Sequence, residues 1–295
     1  MRLRQRAVEV MRDLPPSFHR AAPPSMRRYL RHSLGRYYAW EDGYDHHATP
    51  TLLPGQVSGP PGFVGIGTQK AGTTWWYAQI SLHPGVSDPP LIQKERHFFA
   101  RFGVESFGPS DIADYHAWFP RSEGSISGEW TPDYFYYPWV PPLLAQAAPE
   151  AKLLLLLRDP VERFRSGLAH LTRNGADHVG STQAEALNRS LYADSLRRWQ
   201  KWFPADQLLV LQYEACVADP DTQLARSYEF LGLDPDFRPT ELRGKFNRTH
   251  EEKPKLPADA LERFDDLIGP DLSDLVTLLP SLDFSLWPSA ARLRT

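Results

Sequence analysis

The stretch 63-FVGIGTQKAGTTWW-76 joins an apolar run to a loop that contains glycines, a lysine and two threonines. The apolar run FVGIG predicts a buried strand, and the residues from Thr73 onward predict a helix. A tight glycine turn between a parallel strand and a helix presents backbone N–H groups at the positive end of the helix dipole. The stretch therefore predicts an anion-binding loop.

The lysine of this loop lies in an unusual place for a nucleotide-binding protein. Gly67 and Gly72 have the spacing of a Walker phosphate-binding loop. A Walker lysine directly follows the second glycine, whereas here Thr73 holds that position and Lys70 lies inside the loop. The sequence also has no convincing apolar strand that ends in the aspartate of a Walker Mg²⁺ site. The loop is therefore predicted to bind a phosphate-like group differently from an ATP–Mg²⁺ site.

Length and composition set broad limits on the protein. The chain has 295 residues and a net charge of −3, so it is not a generic nucleic-acid binder. Its single cysteine, Cys216, excludes an intramolecular disulfide and fits a reducing compartment. No run approaches the roughly 18–20 apolar residues of a membrane span. Charged residues interrupt the N-terminus where a secretory signal would be apolar, which predicts a cytoplasmic location.

The N-terminal segment differs in charge from the rest of the chain. The first 36 residues contain nine arginines against Glu9 and Asp13. We predict that residues 1–58 form a basic, helical and partly packed extension, and that residues 59–295 form the main domain. The extension is either a solvated arm or a docking segment for an anionic membrane surface or acceptor. A peripheral membrane location therefore stays open beside the cytoplasmic one.

The order of apolar runs predicts the fold class. Residues 63–67, 152–157 and 208–212 read as buried strands, each followed by a helical pattern. Residues 91–99 and 125–130 are two further strand candidates. Alternating strands and helices predict a three-layer α/β fold, with a central parallel sheet flanked by helices.

A second candidate anion site follows another of these strands, in 152-KLLLLLRDPVERFRSGLAH-170. Arg158 lies just beyond the carboxyl end of the strand, where ligands gather in open α/β sheets. Ser166 follows eight positions later, about two helical turns along. Arginine gives phosphate a charge-assisted contact, and serine adds a neutral donor. The alternative for Arg158 is a salt bridge with Asp159 or Glu162.

Both segments resemble motifs of the sulfotransferases that use 3′-phosphoadenosine-5′-phosphosulfate (PAPS). QKAGTTWW is similar to that family's 5′-phosphosulfate loop, and RDPVERFRS is similar to its 3′-phosphate motif. The stretches SLHPGV, KERHFF, GEWTPDYF, YEACVADP and FNRTHEEKPKLP also resemble the family, in the same order. The resemblance covers roughly residues 63–287 and leans toward the heparan-sulfate-type and related bacterial branch. It implies the P-loop-like sulfotransferase fold.

The resemblance also implies a cofactor and the residues that bind it. It implies PAPS as donor, 3′,5′-adenosine bisphosphate as product, and no metal. The implied cofactor-binding residues are Lys70, Ala71, Gly72, Thr73, Thr74, Trp75, Arg158 and Ser166, together with Arg248 in a polar loop near the C-terminus. Lys70 has an additional catalytic role, because it would stabilise the charge that develops on the leaving 5′-phosphate. The alternative for the loop around Arg248 is a solvated run of charges.

A candidate general base lies in the segment 94-KERH-97. In the matching motif of the heparan-type enzymes the glutamate is the base, so the resemblance assigns that role to Glu95. His97 is the second candidate, because an extended strand would place Glu95 and His97 on one face and Lys94 and Arg96 on the other. The alternatives are an ion pair for Glu95 and a packing role for His97.

The function implied by the resemblance is transfer of a sulfuryl group from PAPS to a hydroxyl of a carbohydrate, lipid or small metabolite. Trp130 stands where the heparan enzymes tend to have a lysine, which disfavours a polyanionic polysaccharide as acceptor. One alternative is a P-loop kinase or other ATP-dependent phosphotransferase, which the displaced Lys70 disfavours. Another is a non-catalytic, membrane-docked PAPS-binding module, which the retention of Lys70, Arg158 and Glu95 disfavours. O- and N-sulfation both stay open.

Overall fold

The computed structural model describes residues 49–87, 94–173, 179–239 and 255–292. The chain divides into two compact units, and the larger one comprises Pro50–Ala100 and Phe107–Thr295. The described residues of the smaller unit are Thr49 and Arg101–Ser106. Among the described residues, no helix has both the length and the apolar character needed to cross a membrane. The predicted basic extension lies almost wholly outside the described ranges, so its boundary and its membrane contact stay predictions.

In the part of the chain that the structure describes, six strands form two sheets. They are β1 (Gln56–Val57), β2 (Phe63–Gly67), β3 (Arg121–Ser122), β4 (Gly128–Trp130), β5 (Lys152–Leu157) and β6 (Leu208–Gln212). The main sheet has the order β4-β2-β5-β6, and all its pairs are parallel. β1 and β3 form a separate antiparallel pair. The central parallel sheet confirms the predicted α/β class.

Helices connect and flank these strands. They are α1 (Thr73–Ile80), α2 (Pro109–His116), α3 (Val140–Ala147), α4 (Pro160–Arg173), α5 (Val179–Asn188), α6 (Ala193–Gln200), α7 (Tyr213–Ala218), α8 (Pro220–Leu231), α9 (Ala258–Leu278) and α10 (Pro288–Arg292). Short 3-10 helices occur at Phe98–Gly103, Pro132–Phe135, Ala205–Gln207 and Phe284–Leu286.

The strand β5 is a run of leucines because it lies in the core of the protein. All five leucines of this strand are fully buried, because helices cover both faces of the sheet at its centre. Trp76 of α1 and Tyr228 of α8 are also fully buried and belong to one apolar cluster with Leu154 and Leu156. Each such side chain contributes about 1.5–3 kcal/mol of hydrophobic stabilisation. The packed core holds the carboxyl ends of the strands, and the loops that follow them, in fixed positions.

The strand order places a crevice between β2 and β5. The chain leads from β2 to β4 on one side, and from β5 to β6 on the other. The connections therefore diverge between β2 and β5, and ligands of open α/β sheets bind at such a switch point, outside the carboxyl ends of the strands. The two predicted anion loops follow these two strands.

The prediction of a strand at residues 91–99 is wrong for residues 94–99, which are the part of this range that the structure describes. Lys94–His97 is irregular, and Phe98–Gly103 is a 3-10 helix. The backbone N–H of Arg96 donates to the Glu129 carboxylate at 3.2 Å and to the Thr131 hydroxyl at 3.0 Å, instead of to a neighbouring strand. His97 also has a positive φ of 49°, which no strand contains.

Candidate active site

The loop after β2 is tied to the neighbouring strand at its first residue. The backbone N–H and the hydroxyl of Thr68 both donate to the carbonyl of Leu156, at 2.9 and 3.0 Å. Lys70 then has φ 71° and Gly72 has φ 87°, two left-handed residues that turn the chain sharply into α1. The helix provides no acceptors for the first N–H groups that follow, those of Thr73, Thr74 and Trp75. The loop therefore has the form of the predicted anion site.

Tyr213 closes the back of this loop. A Cβ atom at Gly72 would lie 2.8 Å from the Tyr213 ring, so the close approach needs glycine. The ring also meets Trp75 edge-on, with the centroids 6.4 Å apart. Tyr213 directly follows β6, as Arg158 directly follows β5. Three neighbouring strand ends thus contribute to one site, and Tyr213 was not among the residues predicted for it.

Arg158 joins the two predicted anion loops. Its Nη1 donates to the carbonyl oxygen of Lys70 at 3.0 Å, and its guanidinium lies over the Tyr213 ring at 4.8 Å. Its Nη2 also lies 3.7 Å from a Glu162 carboxylate oxygen, so the predicted salt bridge exists beside these contacts. The Arg158 Nε is buried and has no hydrogen-bond partner among the described residues. Arg158 therefore lies at the same crevice as Lys70.

Helix α4 carries the other predicted residue of this motif, Ser166, which is buried. Asp159 caps the helix, because its Oδ1 accepts from the N–H groups of Val161 and Glu162 at 2.9 and 3.0 Å. The same helix also carries Arg163. Arg163 is fully buried, and burial lowers the pKa of its guanidinium to about 10.

A buried network attaches the C-terminal region to the end of β5. The N–H of Asp159 donates to Glu214 Oε1 at 3.1 Å, and the indole of Trp287 donates to Glu214 Oε2 at 2.9 Å. The N–H of Ser289 donates to Asp159 Oδ2 at 2.9 Å. Burial raises the pKa of Glu214 above its usual range. These contacts fix the residue next to Arg158 from two directions.

The two candidate bases form a pair. Glu95 Oε2 lies 3.3 Å from His97 Nε2, and Glu95 Oε1 lies 2.7 Å from Lys94 Nζ. Burial alone would raise the pKa of Glu95, but the hydrogen bond to His97 and the charge of Lys94 outweigh it and lower this pKa to about 2. Glu95 is therefore ionised at neutral pH. Lys94 shares the Glu95 side of the segment, although an extended strand would have separated them.

Trp130 links this segment to the loop. Its carbonyl accepts from Lys94 Nζ at 2.9 Å, and its indole N–H donates to the carbonyl of Gly67 at 3.1 Å. The Trp130 side chain is fully buried, and its ring occupies the space that a Cβ at Gly65 would need, 2.0 Å away. The ring therefore packs beneath β2 and does not line an acceptor surface. Burial also lowers the pKa of Lys94.

Glu129 holds the base segment from below. This fully buried carboxylate accepts from the hydroxyls of Thr131 at 2.5 Å, Tyr115 at 2.8 Å and Tyr134 at 3.2 Å, besides the Arg96 N–H. Burial raises its pKa. An ionised carboxylate only accepts hydrogen bonds, so the four donors around Glu129 hold its side chain in one position. This hydrogen-bond network was not predicted from the sequence.

The predicted site residues thus fall into two connected groups. Lys70 to Trp75 meet Arg158 at the crevice, with Ser166 on the helix that follows Arg158, while Glu95 and His97 pair beside β4. Arg248 lies outside the described residues, so its role stays a prediction. Within the described ranges, no group of three or more His, Cys, Asp or Glu side chains is arranged to hold a metal ion.

Several known proteins are similar to this chain. Residues 130–238 match the model of the Sulfotransferase family. Heparan sulfate glucosamine 3-O-sulfotransferase 3A1 of Mus musculus is 32% identical over 183 residues, which are 57% of this chain and 44% of that protein. Heparan sulfate glucosamine 3-O-sulfotransferase 6 of Homo sapiens is 30% identical over 195 residues, 61% of this chain and 54% of that protein. The chain thus spans about half the length of these curated relatives.

A solved structure is similar over a larger share of this chain. The sulfotransferase from Alicyclobacillus acidocaldarius matches with a TM-score of 0.60 and 25% identity. The match covers 77% of this chain and 98% of that one. The strand–loop–helix at Lys70, the strand end at Arg158 and these matches all agree with a similarity of this chain to the sulfotransferase family.

Proposed function

We propose that this chain is an enzyme that transfers a sulfuryl group from PAPS to a hydroxyl of an acceptor. The observation that carries the proposal is the 3.0 Å hydrogen bond from Arg158 to the carbonyl of Lys70. It joins an anion loop with an internal lysine to a second anion site at the switch point of the sheet. ATP has no 3′-phosphate and does not need the second anion site. A donor with phosphate groups at both its 5′ and 3′ positions needs both sites.

The residues present fit such a donor. The left-handed residue Gly72 turns the chain into α1, and the N–H groups of Thr73 and Thr74 at the start of this helix are available to a 5′-phosphosulfate. Arg158 Nε is a buried donor without a described partner, as expected for a side chain that contacts a 3′-phosphate. Ser166, buried two helical turns further on, supplies a neutral donor.

Two side chains would carry the chemistry. Bound PAPS supplies a sulfuryl group on an activated phosphate leaving group. Lys70, inside the loop, stabilises the negative charge that develops on that phosphate, which is electrostatic catalysis of the kind that phosphoryl-transfer enzymes use. Glu95 is ionised and 40% exposed, so it can accept the proton of an acceptor hydroxyl. The packed strands hold the two groups in place for an in-line displacement.

For the acceptor, we propose a carbohydrate or small-molecule hydroxyl with little negative charge. The names of the relatives specify the glucosamine of heparan sulfate, which favours a sugar hydroxyl. Among the described residues next to Glu95 and His97, the cations Lys94 and Arg189 are each paired with a carboxylate. Such a surface offers little attraction to a polyanion. The hydroxyl of a lipid with little negative charge is also an acceptor of the proposed kind.

The experiment is sulfuryl transfer with ³⁵S-labelled PAPS and a panel of acceptors. The panel contains neutral oligosaccharides, heparan sulfate fragments, hydroxylated lipids and small alcohols, and formation of 3′,5′-adenosine bisphosphate is measured in parallel. We expect acceptor-dependent release of the bisphosphate, with neutral hydroxyl acceptors above the sulfated ones. Transfer of phosphate from ATP–Mg²⁺, with no labelled product from PAPS, would contradict the proposal and favour a kinase.

A further inference from the structure

Two aromatic rings stack on each other in the turn that leads into α3. The centroids of the Tyr137 and Trp139 rings are 4.8 Å apart, and their planes differ by only 7°. The exposed residue Pro138 lies between them, and the N–H of Val140 donates to the carbonyl of Tyr137 at 3.1 Å, which closes the turn. Proline in the second position of such a turn presets its backbone. The turn therefore presents the two rings together.

The indole of Trp139 is attached to the segment that carries the two candidate bases. Its N–H donates to the carbonyl of Phe99 at 3.0 Å. Phe99 is fully buried and follows His97 by two positions, so it is a firm point of attachment. The hydrogen bond therefore fixes one edge of the aromatic pair beside this segment.

The ring of Tyr137 reaches the same segment by a second route. Arg189 donates a hydrogen bond to the Tyr137 hydroxyl, and the same guanidinium pairs with the Asp133 carboxylate. Asp133 Oδ2 in turn lies 3.8 Å from His97 Nδ1, and His97 Nε2 lies 3.3 Å from Glu95 Oε2. Both rings therefore belong to the Glu95 side of the crevice, where the acceptor has to lie.

The surface around the pair combines aromatic area with a few polar groups. Both rings are partly exposed. The side chains of Asp133 and Arg189 next to them keep 14% and 12% of their surface exposed. Arg189 is paired with Glu185 as well as with Asp133, so it adds no net positive charge. Aromatic surface with a small number of placed polar groups is typical of sites for small molecules.

We propose that Tyr137 and Trp139 form a platform for a pyranose ring of an uncharged carbohydrate acceptor, in an inference that rests on the proposed function. The C–H groups on one face of a pyranose carry slight positive charge and contact the negative faces of aromatic rings. The hydroxyls at the edge of the sugar then hydrogen-bond to Asp133 and Arg189, and one of them is presented to Glu95. The platform thus determines the class of acceptor.

Other acceptors fit this surface less well. An aryl ring also stacks on aromatic side chains, but it has too few hydroxyls for the charged groups beside the platform, and covering polar groups without new hydrogen bonds costs free energy. An open-chain polyol has the hydroxyls but no rigid face of C–H groups. A polyanionic chain gains little, because the cation at this position, Arg189, is already paired.

The kinetic test compares three neutral acceptors: a methyl hexopyranoside, sorbitol and phenol. They are assayed with PAPS and four proteins, which are the wild type, Tyr137→Ala, Tyr137→Phe and Trp202→Ala. Tyr137→Ala removes a platform ring, whereas Tyr137→Phe keeps the ring and loses only the hydroxyl. Trp202 is 52% exposed in the turn after α6, so it is the control for loss of an exposed ring outside the platform.

In the wild type, we expect kcat/KM for the pyranoside to exceed that for sorbitol and phenol. Tyr137→Ala should lower this value for the pyranoside by about 3- to 10-fold, through a higher KM, and change that for sorbitol little. Tyr137→Phe should retain most of the preference for the pyranoside, and Trp202→Ala should retain all of it. Equal losses for pyranoside and sorbitol, equal losses in both Tyr137 variants, or a wild-type preference for phenol would overturn the proposal.

A second measurement does not depend on turnover. Saturation-transfer difference NMR records which protons of the methyl pyranoside contact the protein, and urea unfolding checks that each variant is folded. The ring C–H protons should give the strongest signals in the wild type, and these signals should weaken in Tyr137→Ala and Trp139→Ala. Absent signals in the wild type, or equal signals in the variants, would overturn the platform. Platform-dependent binding without sulfuryl transfer from PAPS to any acceptor would contradict the proposed function instead.

Discussion

Arg158 Nη1 donates a 3.0 Å hydrogen bond to the carbonyl oxygen of Lys70, 88 positions away in the sequence. This hydrogen bond is made to the backbone of Lys70, which has a left-handed conformation with φ 71°. The path of the anion loop after β2 therefore depends on a side chain that follows β5. The two ends of a bisphosphorylated donor would be bound by one hydrogen-bonded unit, so substitutions at either end should affect both.

Removal of the Lys70 ammonium should affect turnover more than folding. Lys70→Ala keeps the backbone carbonyl that Arg158 contacts, but it loses the charge proposed to stabilise the leaving phosphate. We expect kcat with PAPS to fall by about 10²–10³-fold, with an unfolding midpoint near that of the wild type. Steady-state kinetics and urea unfolding measure the two effects. Full PAPS-dependent turnover in Lys70→Ala would remove Lys70 from the mechanism.

The turn at Gly72 provides a test of the loop packing. Gly72→Ala places a Cβ 2.8 Å from the Tyr213 ring at a φ of 87°, whereas Gly124→Ala has a similar φ of 78° and no atom within 4 Å. The control should lose about 1–2 kcal/mol of unfolding free energy from backbone strain alone. Gly72→Ala should lose more, because the ring must also move. Equal losses in urea unfolding would show that Tyr213 does not pack against the loop.

Tyr213 should contribute to donor affinity through Arg158. The guanidinium lies over its ring at 4.8 Å, and such contacts are worth about 0.5–2 kcal/mol. Tyr213→Ala should therefore weaken binding of 3′,5′-adenosine bisphosphate by about 3- to 30-fold. Tyr213→Phe keeps the ring and should bind nearly as the wild type does. Calorimetric titration compares them, and equal weakening by both variants would assign the effect to the hydroxyl group.

The predictability of this fold follows from local signals. The runs at Phe63–Gly67, Lys152–Leu157 and Leu208–Gln212 were predicted with their observed bounds, because fully buried parallel strands are continuous apolar stretches with turn residues after them. The loop at Lys70 and the position of Arg158 were found for the same reason. Both follow a strand directly, so their place is fixed by sequence distance alone.

The rest depends on contacts between distant segments. Tyr213 is separated from Gly72 by more than a hundred positions, and nothing near either residue marks the other. The predicted strand at 91–99 failed because Glu129 and Thr131 take the N–H groups that a strand would have offered to a neighbour. Arg163 is buried, although an arginine in a helix is usually exposed, and its guanidinium donates to the carbonyl of Ala186 in α5. A single sequence carries no record of such pairings.

The low pKa of Glu95 predicts a pH-dependent contribution to stability. Because the folded pKa of about 2 lies below the ordinary value of 4.5, the ionised form stabilises the folded protein. This contribution is fully present above about pH 4.5 and is lost as the pH falls toward 2. The difference in unfolding free energy between the wild type and Glu95→Gln should be constant near neutral pH and shrink on acidification. A difference that grows on acidification would contradict the pairing with His97 and Lys94.

The central claim is that this site recognises a nucleotide with a 3′-phosphate, and competitive calorimetry with 3′,5′-adenosine bisphosphate and 5′-AMP tests it without knowledge of the acceptor. Contacts from Arg158 and Ser166 to the 3′-phosphate should favour the bisphosphate by about 100-fold. In Arg158→Gln, most of that preference should disappear, and 5′-AMP binding should weaken to a smaller extent, because the loop loses the hydrogen bond to the Lys70 carbonyl. Equal affinity of the wild type for the two nucleotides, or tighter binding of ATP–Mg²⁺, would contradict the account.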